Sequence, residues 1–93
     1  MSKHAIKPIT FTVLHRNDEV GIHQHDRVRD ETEGLAKDSR GRFLETPGTA
    51  YPRVAAGKAP EPGIARRKCP SFSNARAVAD ALTAAIHRRE RIF

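Results

Sequence analysis

The sequence ITFTVLHRNDEVGIHQHD, residues 9–26, carries the pattern that decides the fold. β-Branched and aromatic residues dominate its first half, and such residues favour an extended chain. The dipeptide Asn17-Asp18 follows, and both residue types tolerate positive φ, so a two-residue hairpin turn is expected there. Pairing across this turn places Arg16 opposite Glu19, His15 opposite Val20, Val13 opposite Ile22 and Phe11 opposite Gln24.

The two faces of this hairpin differ in character, because successive residues of a strand point to opposite sides of the sheet. One face is apolar and is predicted to be buried, whereas the other is mostly polar and is predicted to be solvated. The apolar face comprises Phe11, Val13, Val20 and Ile22, and the polar face comprises Thr10, Thr12, Leu14, His23 and His25.

The C-terminal part of the sequence predicts an amphipathic helix over residues 74–90. Its apolar residues recur at intervals of three and four, which traces one stripe along a helix. Ser73 is a suitable N-cap, and Phe72 is expected to pack against the first turn. We therefore expect an α+β domain in which a small antiparallel sheet packs against one C-terminal amphipathic helix. The stripe is formed by Ala75, Val78, Ala79, Leu82, Ala85 and Ile86.

The middle of the chain allows two interpretations. Residues 35–37 and 42–45 flank Asp38-Ser39-Arg40-Gly41, in which Asp at the first position and Gly at the fourth favour a type I turn and a second hairpin. Alternatively, Asp30 and Glu33 have the spacing that caps a short helical turn. We favour the second hairpin.

A proline- and glycine-rich segment, residues 46–63, is predicted to be a long flexible loop. Proline and glycine at this density exclude a helix or an interior strand. Residues 64–69 are expected to return as a strand, and the three consecutive cations within it mark an edge or an exposed face.

The length of the chain restricts its function. A chain of 93 residues holds one core at most, so we expect a single domain spanning residues 1–93. Two-domain enzymes, dinucleotide-binding folds and barrels with enclosed pockets need more chain. The sequence contains no P-loop, nucleophile elbow or dinucleotide-binding motif. We therefore expect a non-enzymatic protein that uses no cofactor.

Three groups of residues are candidates for chemistry, and each also has a plain structural interpretation. His23 and His25 project from one face of a strand, but zinc needs further ligands, so two solvated histidines are favoured over a metal site. Cys69 has no local signature that supplies a base, so a small, partly buried thiol is favoured over a nucleophile. The carboxylates of residues 30–33 are interpreted as a solvated acidic turn rather than a cation site.

The sequence also predicts a compartment. One cysteine cannot form an internal disulfide, and no apolar run approaches the length that spans a bilayer. The residues Met1-Ser2-Lys3-His4 lead into a strand-like segment rather than the apolar stretch of a signal peptide. We expect a cytoplasmic protein without a membrane partner.

The charge of the chain is unevenly distributed. The net charge is +6, but residues 1–39 carry a net −1 and residues 40–93 a net +7. Arginine outnumbers lysine twelve to five, and its planar group binds phosphates and carboxylates through paired hydrogen bonds. A GC-rich genome would also enrich arginine, so this bias alone does not decide the matter.

We predict that the basic half contacts a nucleic acid, a ribonucleoprotein complex or an acidic protein surface. Aromatic residues are scarce, so contact with the phosphate backbone is favoured over stacking on single-stranded bases. The candidate binding residues are Arg40, Arg42, Arg66, Arg67, Lys68, Arg88, Arg89 and Arg91.

The chain combines an N-terminal hairpin with Pro70-Ser71-Phe72-Ser73 leading into an alanine-rich helix over residues 74–89. This short, basic, cysteine-poor layout resembles small phage-encoded accessory proteins, and among them the anti-CRISPR proteins that inhibit type I surveillance complexes. The resemblance is one of architecture and assigns no residue roles. It implies a stoichiometric inhibitor that docks on a ribonucleoprotein, at the guide RNA, target DNA or an acidic protein patch, and blocks DNA binding.

Two alternatives stay open. One is a DNA-binding transcriptional regulator, although a recognition helix needs a second helix to position it and the sequence predicts one helix. The other is a protein-only interaction module, for instance a dimer formed through the hairpin edge, in which the basic residues lie only at the rim.

Overall fold

The structure is a computed structural model that describes residues 8–16, 18–48 and 65–91. Within these residues the strands form one antiparallel sheet in the order β4-β3-β2-β1-β5, which leaves β4 and β5 at the edges. The predicted α+β class, a sheet packed against one C-terminal helix, is confirmed. The elements are β1 (Ile9–Arg16), β2 (Glu19–Asp26), β3 (Glu31–Lys37), β4 (Phe43–Gly48), β5 (Ala65–Cys69) and α1 (Phe72–Arg91).

The β1–β2 hairpin has the predicted register, from Arg16 opposite Glu19 down to Ile9 opposite Asp26. The side chains of Arg16 and Glu19 lie 3.7 Å apart beside the turn. The register is strongly specified because a slip of one residue would turn the four side chains of the apolar face away from the core.

The core lies between the sheet and α1. The four side chains of the predicted apolar face are all buried there, as are Leu35 and Phe43 from the second hairpin. The helix contributes Ala75, Ala79 and Ile86, and small alanines allow its backbone to approach the sheet. The ring of Phe72 packs edge-on against that of Phe11, with ring centroids 5.9 Å apart.

The helix begins earlier than the sequence pattern predicts. The hydroxyl of Ser71 accepts a hydrogen bond from the N–H of Asn74 at 3.2 Å, so Ser71 rather than Ser73 is the N-cap. Phe72 therefore lies in the first turn of α1. Ala85, which belongs to the predicted apolar stripe, is exposed. No helix in the described part of the chain is both long and apolar enough to cross a membrane.

The sheet face turned away from α1 is less solvated than predicted. Leu14 is fully buried and His23 is only 3 % exposed, so the interpretation of His23 as a solvated side chain is wrong. Leu14 lies opposite Gly21, and His23 lies opposite Gly34. The alternation of polar residues on this face does not reveal this burial.

The favoured interpretation of the middle of the chain, a second hairpin, is confirmed as β3–β4. The alternative, a helical turn capped by Asp30, is wrong because β3 begins at Glu31. The predicted loop over residues 46–63 begins too early, because residues 46–48 belong to β4. Pro47 is tolerated there because β4 is an edge strand. The rest of the predicted loop lies outside the described residues.

Candidate nucleic-acid interface

The β3–β4 turn presents two of the predicted basic residues, Arg40 and Arg42, which are both exposed. Oδ1 of Asp38 accepts hydrogen bonds from the backbone N–H groups of both, at 2.9 Å each. The N–H of Gly41 donates to the carbonyl oxygen of Asp38 at 3.0 Å, and Gly41 has a φ of 79°. Glycine adopts this φ without strain, so the turn places both arginines at the tip of the hairpin.

The charge of Asp38 is part of this turn. The hydrogen bond from the N–H of Arg42 is the largest cause that holds the pKa of the carboxyl below its ordinary value, and the N–H of Arg40 adds to it. The positive charges of Arg42 and Arg76 act in the same direction, while desolvation opposes them. Nε of Arg42 lies 3.8 Å from Oδ2 of Asp38. The turn thus uses one carboxylate to fix its backbone and remains net positive.

The basic run on β5 does not form one patch. Arg67 lies opposite Val13 and therefore shares the helix side of the sheet, whereas Arg66 and Lys68 point to the other side. All three are exposed, because β5 is an edge strand. The sequence places the three cations together, and the pleat of the strand separates them.

The end of α1 carries Arg88 and Arg89, both exposed, and Arg91 is the last residue of the helix. Cations at this position interact favourably with the partial negative charge of the C-terminal carbonyl groups. The positive charge here therefore supports the helix and is also presented to solvent.

Antiparallel pairing brings most of these residues to one end of the sheet. β1 and β3 end where β2, β4 and β5 begin, so the β3–β4 turn and Arg66 lie at the same end. The helix starts near the opposite end, where Phe72 contacts Phe11, and by Leu82 it has reached the level of His15. We name this end the basic end and define it by Arg40, Arg42, Arg66, Arg88 and Arg89.

The dimensions of the basic end suit a polyanion. β3 and β5 are three strands apart, which corresponds to roughly 14 Å at the usual strand spacing. That distance covers about four base pairs of duplex DNA at about 3.4 Å each. Lys68 lies outside this group because it is opposite Thr12, nearer the other end of β1. Seven of the eight predicted residues are described with their side chains, and five of these meet at the basic end.

The described aromatic side chains do not provide a stacking platform. Phe11 and Phe43 are buried in the core, and Phe72 packs against it. Nζ of Lys37 lies 4.8 Å from the centroid of the Phe43 ring, so that ring already has a cation over its face. The described phenylalanine rings are therefore engaged within the protein.

His25 belongs to a cluster that sequence reasoning missed. Its Nδ1 lies 2.8 Å from Oγ1 of Thr32, and its Nε2 lies 3.5 Å from Oδ1 of Asp30. A hydroxyl, an imidazole and a carboxylate in a row resemble the order of a nucleophilic triad, but the Asp30 side chain is 75 % exposed and its contact is long. The contacts of His25 link β2 to β3 and to the turn between them. The cross-strand pairing of His25 with Thr32, which follows from the β2–β3 register, was the missing signal.

The other candidate chemical groups are placed as follows. Cys69 is buried in the core, with its Sγ 4.0 Å from the carbonyl oxygen of Arg67. Within residues 8–16, 18–48 and 65–91, no group of three or more histidine, cysteine, aspartate or glutamate side chains is arranged to hold a metal ion.

Comparison of the chain with protein-family models, with curated proteins and with solved structures finds no match.

Proposed function

We propose that the chain is a small, basic, non-enzymatic binding protein that contacts the phosphate backbone of a nucleic acid, free or within a ribonucleoprotein complex. The observation that carries the proposal is that exposed arginines of three elements lie toward the same end of the sheet. A turn, an edge strand and a helix end all lie toward this end of the sheet, with Arg66 on the side of the sheet away from α1.

The residue types suit phosphate, which arginine binds as it binds carboxylates. Arginine offers several N–H donors in a fixed plane, and this plane matches two phosphate oxygens at once. The described aromatic rings are occupied by the core, so base stacking adds nothing at this surface. We therefore expect binding that depends on salt and depends little on base sequence.

The geometry does not favour a helix-turn-helix regulator. Such a regulator places a recognition helix in the major groove and supports it with a second helix. The described residues contain one helix, and its buried side packs against the sheet.

Salt dependence tests the proposal directly. We would titrate the protein with a fluorescent duplex DNA and with an RNA–DNA heteroduplex, both of 20 base pairs, at salt concentrations between 50 and 200 mM. The logarithm of the association constant should fall linearly with the logarithm of the salt concentration, with a slope of about −3 or steeper for three or more phosphate contacts. Binding of neither duplex at 50 mM salt would overturn the proposal.

The contribution of β5 has its own test, namely the combined substitution of Arg66→Glu, Arg67→Glu and Lys68→Glu. Exposed charges away from caps and core usually change stability by less than about 0.5 kcal/mol, so the variant should fold. We expect weaker binding and a shallower salt slope. Unchanged binding would remove this strand from the interface.

The resemblance to anti-CRISPR proteins gives the proposal a specific target, a type I surveillance complex. Under this form of the proposal, the protein binds the complex stoichiometrically and prevents it from binding target DNA. The test is a mobility-shift assay of target DNA with a purified type I complex at increasing protein concentration. If the complex still binds target DNA fully at a tenfold molar excess of the protein, this target is excluded. The proposed phosphate contact is then tested by the salt titration alone.

A further inference from the structure

Four buried residues lie side by side on the face of the sheet turned away from α1, which we name the far face. Leu14 of β1 is opposite Gly21 of β2, and His23 of β2 is opposite Gly34 of β3. Residues two apart on a strand share a face, so these two pairs are neighbours. All four residues are buried, and Leu14 is buried completely.

No described element covers the far face. α1 packs on the other side of the sheet, in the cluster that contains Phe11 and Ile22. Leu14 is fully buried but does not belong to that cluster. Its neighbours cannot provide the cover alone, because Gly21 has no side chain and Arg66, across from Leu14 on β5, is exposed. The burial of Leu14 therefore calls for a further segment of the chain.

The connection from β4 to β5 joins the two edges of the sheet. β4 is antiparallel to β3 and β5 is antiparallel to β1, so β4 and β5 run in the same direction. Two strands of the same direction need a crossover connection of roughly a dozen residues or more, which passes over one face of the sheet. β4 ends at Gly48 and β5 begins at Ala65, so residues 49–64 form this connection.

The exposure of α1 distinguishes the two faces that the connection could cross. On the helix side, the chain would pass over α1 and cover the side of the helix opposite its buried stripe. That side is exposed at Ser73, Ala77, Ala84 and Arg88. The far face is buried instead, so the burial of the sheet, rather than that of the helix, matches a crossing chain.

The buried residues also lie on the path between the two ends of the connection. Gly48 is opposite Gly34, and Ala65 is opposite His15. A straight line from Gly48 to Ala65 crosses the sheet diagonally and passes over the four buried residues in turn. This line spans four strand spacings and about three residues of strand, roughly 22 Å. Sixteen residues of extended chain reach about 50 Å, more than twice that distance.

The residues before β1 fit this cover less well. They enter the sheet at Ile9, the first residue of β1. Thr10 and His25, the far-face pair nearest to that entry, are only partly buried. Burial is complete farther from it, at Leu14. A segment that arrives from the start of β1 would cover the nearer pair first, so the gradient of burial favours residues 49–64.

We propose that residues 49–64 pack on the far face over Leu14 and His23, so that the sheet lies between α1 and this segment. The far face is then an intramolecular docking surface. Tyr51 and Val54 are the apolar side chains of the segment that we expect to contact Leu14. The inference does not depend on the proposed contact with nucleic acid, and all its tests use the protein alone.

The first experiment looks for contacts of Leu14 in the protein of natural sequence. The Leu14 methyl signals of a uniformly labelled sample are assigned by their loss in Leu14→Ala. We expect nuclear Overhauser effects between these methyl groups and side chains of residues 49–64. Tyr51 is the one tyrosine of the chain, so its ring signals identify it directly. Effects to residues 1–7 alone, or to no residue outside the described elements, would overturn the proposal.

The second experiment measures how far the segment protects His23. Diethylpyrocarbonate modifies accessible imidazoles, mass spectrometry of peptides reports each histidine separately, and the exposed His87 serves as the reference. Replacing residues 50–63 by glycine and serine at equal length should raise the relative modification rate of His23 at least about tenfold. The matched control replaces residues 2–7 in the same way and should change this rate less than about twofold. Unchanged protection of His23, or a larger rise in the control, contradicts the proposal.

The packing on Leu14 is tested with Leu14→Ala, whose matched control is Leu35→Ala. Both leucines are fully buried, but Leu35 belongs to the cluster on the helix side. In the natural chain each substitution removes buried apolar contacts and should lower the urea midpoint. In the chain with residues 50–63 replaced, Leu14→Ala should lower it less than about half as much, while Leu35→Ala keeps its effect.

Equal effects of Leu14→Ala in the two chains would show that residues 50–63 do not cover this side chain. If the replaced chain does not fold, the nuclear Overhauser measurement on the natural sequence decides the matter.

Discussion

The β2–β3 turn and the β3–β4 turn are each organised by one aspartate. In the first, Oδ1 of Asp26 accepts hydrogen bonds from the N–H groups of Val28 and Arg29, at 2.9 and 3.2 Å. In the second turn, Oδ1 of Asp38 accepts from the N–H groups two and four residues on rather than two and three. In each turn one arginine lies near the aspartate that organises it, with Arg29 at 4.0 Å and Arg42 at 3.8 Å. One aspartate acceptor with an arginine nearby is therefore common to both turns, and it does not distinguish a binding turn from a structural one.

The two turns differ in what surrounds this shared design. The β2–β3 turn has acidic residues beside its arginines, and its Asp30, with a φ of 53°, contacts His25. The β3–β4 turn has Gly41 at its positive φ, and its two arginines face one carboxylate. Charge, rather than turn geometry, thus separates the two turns. The β2–β3 turn serves as a built-in control for the proposed phosphate contact.

The largest effect is expected from charge reversal at the β3–β4 turn. Each lost phosphate contact reduces affinity about eightfold at about 0.1 M salt, because the association constant varies as roughly the 0.9th power of salt concentration per contact. Arg40→Glu combined with Arg42→Glu should therefore weaken duplex binding roughly 50-fold or more. The salt slope should become shallower by about 2. Anisotropy titration with the 20-base-pair duplex measures both.

Arg27→Glu combined with Arg29→Glu is the matched control for this experiment. It reverses the same number of charges on a turn of the same design, and it also removes one arginine from the vicinity of the organising aspartate. The control should reduce binding by less than about fivefold. If the two double variants lose affinity equally, net charge rather than the basic end governs binding.

A smaller effect is expected from Gly41→Ala. No atom lies within 4 Å of the position that the new Cβ would occupy, so the substitution tests the backbone alone. A φ of 79° costs an L-residue about 1–2 kcal/mol, and the free energy of unfolding should fall by about that amount. Asparagine tolerates this region, so Gly41→Asn should lose less. Urea denaturation measures the difference, and equal losses would show that φ does not control the turn.

Substitution can separate the two roles of the Asp38 side chain, as a hydrogen-bond acceptor and as a negative charge. Asp38→Asn keeps an oxygen that accepts from the N–H groups of Arg40 and Arg42, whereas Asp38→Ala removes the acceptor. We expect the melting temperature to decrease in the order wild type, Asp38→Asn, Asp38→Ala. Equal melting temperatures for the alanine variant and the wild type would contradict an organising role for this side chain.

The smallest effect is the pH dependence that Asp38 contributes. Its pKa is lowered in the folded protein, mainly by the N–H of Arg42, so its ionised form stabilises the fold above the unfolded pKa. That contribution is lost as the pH falls below about 4 and through the folded pKa. The stability difference between wild type and Asp38→Asn should therefore shrink on acidification from pH 6 to pH 2. A difference that does not change with pH would contradict the lowered pKa.

The elements that rest on local pattern were predictable from the sequence. The β1–β2 register followed from a turn dipeptide and an apolar face, and the β3–β4 hairpin followed from Asp38 and Gly41 at turn positions. The helix was predicted from its stripe, but its start was placed two residues late because Ser71 and Ser73 are both acceptable N-caps. Only the position of a hydroxyl relative to a backbone N–H distinguishes them.

The features that depend on contacts between strands were not predictable in the same way. The burial of Leu14 and His23 cannot be read from the alternation of polar residues on their face, and the His25–Thr32 contact depends on the β2–β3 register. The eight candidate binding residues, seven arginines and one lysine, were identified from the clusters of basic residues in the sequence. Their division between the basic end and the rest of β5 required the strand order and the pleat. The anti-CRISPR resemblance and the contact with nucleic acid stay predictions.

The most direct test of the central claim observes the arginine side chains themselves. We would record the Nε–Hε signals of isotopically labelled protein while adding the 20-base-pair duplex at 50 mM salt. The signals of Arg40, Arg42, Arg66, Arg88 and Arg89 should shift together at one apparent affinity, while those of Arg27 and Arg29 stay in place. Shifts confined to Arg27 and Arg29, or the same small shifts for every arginine, would contradict a nucleic-acid contact at the basic end.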